Sequence, residues 1–301
     1  MVLSKVGGRY RLYIDGATFE ATLRGRLKQG LQRILVGDRV RAAVHSDESV
    51  TIDEVEPRRS VLQRRMPGRS HGIRHVAANV DQVVVVGAAR RPDWDSHLID
   101  RFVAVAAANQ LPVILVLNKC DLWEEWEALA APYVHAGYTV VCTSVPEQRG
   151  LEALRSHLTG HTTVLTGPTG VGKSSLLNAL QPGLRLRTSD VSVKSGGGRH
   201  TTVSAEMHPF GAQGFVVDTP GLRDIGLWGL DPLDVARTFP EFAAFAQACR
   251  FDNCRHLEEP GCAVTAASER GEVARSRLAS YRRFLEESER AARPWQRGDT
   301  T

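Results

Sequence analysis

The chain has 301 residues, 42% apolar and 24% charged, with a formal net charge of +4. It is long enough to bury a sizeable core and is expected to divide into two or three domains. No apolar stretch reaches the ~20 residues of a membrane span, and "MVLSKVGGRYRLYIDG" lacks the core of an export signal. Five cysteines, an odd number in a chain with no such signal, argue against a disulfide framework. A cytoplasmic protein with no membrane partner is expected.

The charge is uneven. Residues 1–75 hold 15 Lys and Arg against 8 Asp and Glu, and the remainder holds 23 against 26. Such asymmetry points to a polyanionic partner at the N-terminal quarter, or to a solvated basic surface. Residues 9–62 alternate apolar and polar positions: Tyr10, Leu12 and Ile14, then Val40 and Val44 after a turn at Gly37-Asp38, then Val50 and Ile52. Several short strands in so few residues predict a small β-barrel over 1–65, either an RNA-binding oligonucleotide-binding (OB) barrel or a β-domain with no RNA role. "RRMPGRSHGIRH" has no apolar period, so 66–75 reads as a basic linker.

From 76 to 227 apolar runs alternate with helical patterns: "DQVVVVGAA", a periodic stretch near 97–109, "PVILVLN", "EEWEALAAPYVHAG", "TVVCTS" and "TVLTG". These predict a parallel sheet covered on both faces, with Trp123 and Trp126 used in packing. Residues 228–301 predict a small α-rich module ending in a helix. In that helix Leu278, Tyr281 and Leu285 keep helical spacing, while Arg275, Arg277, Arg282 and Arg283 meet RNA or form a solvated face.

Gly167, Pro168, Thr169, Gly170, Val171, Gly172, Lys173, Ser174 and Ser175 spell "GPTGVGKSS", a phosphate loop lying between an apolar strand and a helical run. Its backbone N–H groups close on phosphate oxygens, Lys173 brings charge to the outer phosphates, and the Ser174 hydroxyl binds Mg2+. "NKCD" chooses the base. The Asp121 carboxylate accepts from guanine N1–H and the exocyclic amine, whereas adenine presents an acceptor there. That mismatch is worth a discrimination of roughly 10^4. Lys119 covers the ring, Asn118 pins the loop, and Thr143 and Ser144 of "CTS" form a weaker third base element. Cys120 and Cys142 are expected as small buried hydrophobes.

Asp218 and Gly221 of "DTPG" suit Mg2+ through water and the γ-phosphate, and Thr201 or Thr202 of "SGGGRHTT" suits Mg2+ when triphosphate is bound. The order base, phosphate, first switch, second switch is a circular permutation of the usual one. Cys249, Cys254, His256 and Cys262, spaced C-x4-C-x-H-x5-C, offer the three thiolates and one imidazole of a structural Zn2+ site.

Taken together, the basic barrel ending in "EPRRSVLQRR", the permuted "NKCD", "GPTGVGKSS", "GRHTT" and "DTPG", and the Cys/His spacing resemble the circularly permuted, ribosome-associated GTPases called RsgA (YjeQ). The resemblance implies an OB-fold, a permuted GTPase domain and a zinc-binding domain. It also implies action on the small ribosomal subunit and its rRNA late in maturation, with GTP converted to GDP under stimulation by that subunit. Leu222 stands where a water-orienting glutamine is usual, so intrinsic hydrolysis should be slow; in the family a first-switch histidine, here His200, is the proposed substitute. A monomer is expected. The alternative reading is an RNA-binding assembly factor that only senses GTP.

Overall fold

The computed structural model describes residues 1–24, 33–65, 73–184, 205–218 and 232–292. The first layer is a five-stranded sheet of β1 (Val2–Val6), β2 (Arg9–Ile14), β3 (Ala17–Leu23), β4 (Val40–Val44) and β5 (Val50–Val55), in the order β1-β2-β3-β5-β4. Inward positions alternate along each strand, so Tyr10, Leu12, Ala21, Val50 and Ile52 meet in one core. The Val2 amide donates to Asp38 O at 2.9 Å and the Gly37 amide to Val2 O at 2.8 Å, which brings β1 to the segment entering β4 and curls the sheet into a barrel. Asp38 is fully buried and held by Arg58 through Nε and Nη2, at 2.7 and 2.9 Å.

A hairpin follows, β6 (Val61–Arg65) and β7 (Ile73–Ala78). Residues 73–75, expected as linker, are therefore strand: the ladder from Arg65↔Ile73 to Val61↔Ala78 satisfies their backbone groups.

The central sheet has the order β10-β9-β8-β11-β13-β12. Its strands are β8 (Gln82–Ala88), β9 (Val113–Asn118), β10 (Thr139–Thr143), β11 (Thr162–Thr166), β12 (Glu206–Phe210) and β13 (Gly214–Asp218). Helices α1 (Ser96–Ala108), α2 (Trp126–His135), α3 (Leu151–Leu158) and α4 (Lys173–Leu180) connect the parallel strands. β8 is buried along its whole length, as a central strand covered on both faces must be. Two separate apolar clusters line the two faces, one on Val83, Val85 and Phe102, the other on Val84, Val86 and Leu177. One edge strand departs from the parallel arrangement of the rest of the sheet. β12 joins β13 antiparallel, because the tight turn at 211–213 allows no crossover.

The last layer is helical: single turns at Pro232–Val235 and Ala243–Ala246, then α5 (Ala263–Glu269) and α6 (Arg275–Ala292). Phe239, Phe242, Val264, Tyr281 and Phe284 form its core, and Ala104 of α1 joins it. Two of the four α6 arginines depart from the expectation of a solvated or RNA-facing set, whereas Arg275 and Arg283 are exposed. Arg277 is 1% exposed, donating to Asp100 Oδ1 and Glu241 Oε1, each at 2.7 Å. Arg282 bonds the carbonyls of His256 and Leu257. No described helix is long and apolar enough to cross a membrane.

Candidate nucleotide and metal sites

The parallel register brings the motifs to one edge of the sheet. Ala88, Asn118 and Thr143 are successive partners across β8, β9 and β10, while Leu165 of β11 partners Asp218 of β13. The strand ends thus converge where an open α/β sheet binds ligands.

The phosphate loop requires glycine at two points. Gly167 has φ +137°, and a Cβ there would lie 2.0 Å from Val86 O. Gly172 has φ +98°, and a Cβ would meet Asn118 Nδ2 at 2.5 Å. Only glycine allows both the backbone conformation and the close approach. Gly167 and Val171 are buried and Pro168 is half-buried, while Thr169 and Gly170 are exposed. Lys173 opens α4 and donates to Gly167 O at 2.8 Å and Pro168 O at 2.7 Å, which holds its ammonium over the loop. Ser174 follows at half-buried depth, and Ser175 is exposed.

Asn118 joins the three motifs. Its Nδ2 donates to Val171 O at 2.8 Å, and its Oδ1 accepts from Thr143 Oγ1 at 3.0 Å. Thr143 is fully buried, so its hydroxyl is a brace for Asn118. Ser144, also buried, accepts from the Glu147 amide at 3.3 Å and shapes the turn. Lys119, in left-handed backbone at φ +60°, donates from Nζ to Gly170 O at 2.7 Å and to Arg91 O. Burial holds its ammonium below the usual lysine range, against the pull of Asp121. Asp121 Oδ1 is buried and has no hydrogen-bond partner among the described residues. An unpaired buried carboxylate oxygen is costly. It suits a donor edge supplied by a ligand, as guanine supplies.

Beside this loop the sulfurs of Cys120 and Cys142 are in contact, with Cα atoms 6.4 Å apart. Both lie in an apolar cluster with Leu117 and Ala130, as expected of small hydrophobes, and their mutual contact is an addition to that reading. Leu117 and Cys142 are register partners, and the turn after β9 folds Cys120 back beside them. Trp123 packs under Arg90, the guanidinium 3.3 Å from the ring centroid.

Asp218, half-buried at the end of β13, is the described member of the second switch; Gly221, Leu222, His200, Thr201 and Thr202 lie outside the described residues. Ser174 and Asp218 carry hard oxygen atoms of the kind Mg2+ prefers.

In the helical module Cys249, Cys254, His256 and Cys262 hold their donor atoms within 4.8 Å of one another. His256 Nδ1 lies 3.6 Å from Cys249 Sγ and 3.5 Å from Cys262 Sγ. A tetrahedral zinc with ordinary bond lengths sets that S···N edge at about 3.6 Å. Burial lowers the His256 pKa, which keeps the ring in the neutral, ligating form. Cys262 also caps α5, its Sγ accepting from the Thr265 amide at 3.4 Å. The four residues fit a structural metal ion. Purified parent protein should carry one zinc per chain by elemental analysis. Cys254→Ala should lose the metal and loosen the helical module while keeping GTP binding, since structural zinc stabilises locally.

A sequence profile described as RsgA GTPase matches residues 55–228. The chain is 48% identical over 296 residues to the small ribosomal subunit biogenesis GTPase RsgA of Gemmatimonas aurantiaca, covering 95% of this chain and 96% of that protein. It is 38% identical over 287 residues to the same-named protein of Moorella thermoacetica, covering 95% and 96%. Among solved structures it is similar to YjeQ from Thermotoga maritima, with TM-score 0.79 and 32% identity over 96% of this chain and 97% of that one. It is also similar to YloQ, described as a circularly permuted GTPase, with TM-score 0.76 and 28% identity over 100% and 96%.

Proposed function

The chain belongs to the RsgA GTPase family, and from that membership we propose that it is a GTPase of small ribosomal subunit biogenesis, hydrolysing GTP to GDP and phosphate to time its own release. The observation that carries the nucleotide assignment is the unpartnered buried Asp121 oxygen beside a phosphate loop pinned by Asn118. Asp121 reads guanine, Lys119 covers the ring, and Lys173 draws the outer phosphates. Ser174, Asp218 and Thr201 or Thr202 hold Mg2+, which when bound neutralises charge developing on the phosphates. The metal of the Cys/His cluster is zinc and its role is structural. The basic N-terminal barrel meets rRNA through phosphate contacts that are independent of sequence.

Turnover by the free protein is slow, because Leu222 cannot orient water. On the small subunit His200 aligns the attacking water in place of the missing glutamine. Measured with and without small subunits, GTP turnover should rise about 10^2-fold, equivalent to about 2.7 kcal/mol of barrier. His200→Ala should lose that rise while keeping GTP and subunit binding. Full stimulation of the variant would exclude His200 as the aligning residue, and absence of any turnover in the parent would favour a factor that only senses GTP.

A further inference from the structure

The hairpin β12–β13 is bounded in sequence by the two switch motifs, and the barrel packs against it. Glu206 begins β12, Asp218 ends β13, and the two are register partners. Directly opposed residues of an antiparallel pair project from the same face with Cβ atoms about 4.5–5.5 Å apart, and like charges so placed repel.

The countercharge comes from another domain. Arg11 of β2 pairs through Nη2 with Glu206 Oε1. Its buried Nε has no hydrogen-bond partner among the described residues, so the guanidinium has a donor in reserve for a two-bond grip on the same carboxylate. Around the ion pair the contact is apolar. Tyr13 meets Phe215 edge-on with centroids 5.5 Å apart, and Leu3 and Val36 share a core with Met207 and Val217. Arg11 is the cation that the fold places against Glu206.

We propose that Arg11 of the barrel is a positioning residue for hydrolysis: by neutralising Glu206 it keeps that carboxylate from competing with Asp218 for the Mg2+ water shell. The barrel, the domain expected to sense RNA, thereby becomes part of the metal site. The inference rests on the GTPase reading and on the place of Asp218 in it. Arg11 and Glu206 side chains are 37% and 44% exposed, so the pair adds little to folding. Its effect belongs in metal dependence.

The test compares the full-length parent with Arg11→Ala, Arg11→Lys and the double variant Arg11→Ala/Glu206→Gln. Mg2+ titrations would follow both GTP turnover and release of fluorescently labelled GDP, and thermal unfolding would be recorded without nucleotide. Arg11→Ala should lower kcat and shift the half-maximal Mg2+ concentration in both assays by about two- to fivefold, the size of a cross-strand charge pair. KM for GTP and the unfolding midpoint should stay near the parent. Arg11→Lys and the double variant should return to the parent profile. An unchanged Mg2+ profile in Arg11→Ala, or a shift that Glu206→Gln does not reverse, overturns the proposal. A parent with no Mg2+-dependent turnover overturns instead the GTPase reading beneath it.

Discussion

Asp121→Asn should weaken GTP binding by roughly 10^3- to 10^4-fold and improve binding of xanthosine triphosphate. In the structure Oδ1 of Asp121 is buried and unpaired among the described residues, with Lys119 in its field. A carboxylate there would accept from both guanine donors, whereas asparagine would turn one of its positions into a donor facing a donor. Both groups are then left unsatisfied out of water, at a cost of about 4–5.5 kcal/mol. Xanthine carries an oxygen in place of the exocyclic amine, so the same asparagine donor finds an acceptor. Competition of GTP, xanthosine triphosphate and ATP against a labelled nucleotide reads both halves of the exchange. GTP affinity that survives unchanged would show that Asp121 does not touch the base. ATP that competes as well as GTP in the parent would point to a different P-loop chemistry.

Arg277→Ala should release the helical module from the GTPase domain, lowering the opening free energy of α6 by about 3–5 kcal/mol as read by native-state amide exchange. Arg277 lies between Asp100 of α1 and Glu241 of the module, and its guanidinium carbon is 4.5 Å from the centroid of Phe239. Burial alone would weaken its charged form, yet Asp100 and Glu241 raise its pKa overall. The alanine variant leaves two carboxylates buried without their cation. Replacing all three by apolar residues of similar volume, Arg277→Met with Asp100→Leu and Glu241→Leu, removes the stranded charge and should restore most of the loss. Equal destabilisation in the single and triple variants would mean that packing, not charge, joins the two domains. A second ionic contact runs parallel to this one: Arg101 of α1 bonds Glu287 of α6 at 2.8 and 2.9 Å. That site is more exposed, and its loss should be felt less.

The glycine-rich loop at 167–175, the tetrapeptide at 118–121 and the Cys/His cluster stand out in the sequence because each depends on residue types at short spacing. The permuted order was legible too, since it is a statement about order alone. The strands β8, β9, β10 and β11 and the helices α1, α2, α4 and α6 announced themselves by apolar period. Others did not. α3, at 151–158, has four polar or charged positions among its eight residues and only a narrow apolar stripe on Leu151, Leu154 and Leu158. β12 carries a proline and two titratable residues in five, a weak strand pattern that an edge position tolerates. The β6–β7 hairpin has a ladder whose strands are separated by a basic, glycine-containing run that reads as linker.

Local sequence determined the chemistry available: which residues can cradle phosphate, face guanine or ligate a metal, and in what order the chain presents them. Tertiary structure decided which charges meet. Asp100 and Arg277 are 177 positions apart, and Arg11 and Glu206 are 195 apart. An arginine on an amphipathic helix looks the same in sequence whether it faces water or a buried carboxylate. The packing of α6 on α1 removes the water that would otherwise screen Arg277 and Asp100, while the packing of the barrel on β12 brings Arg11 within reach of Glu206 at a site that stays part-exposed.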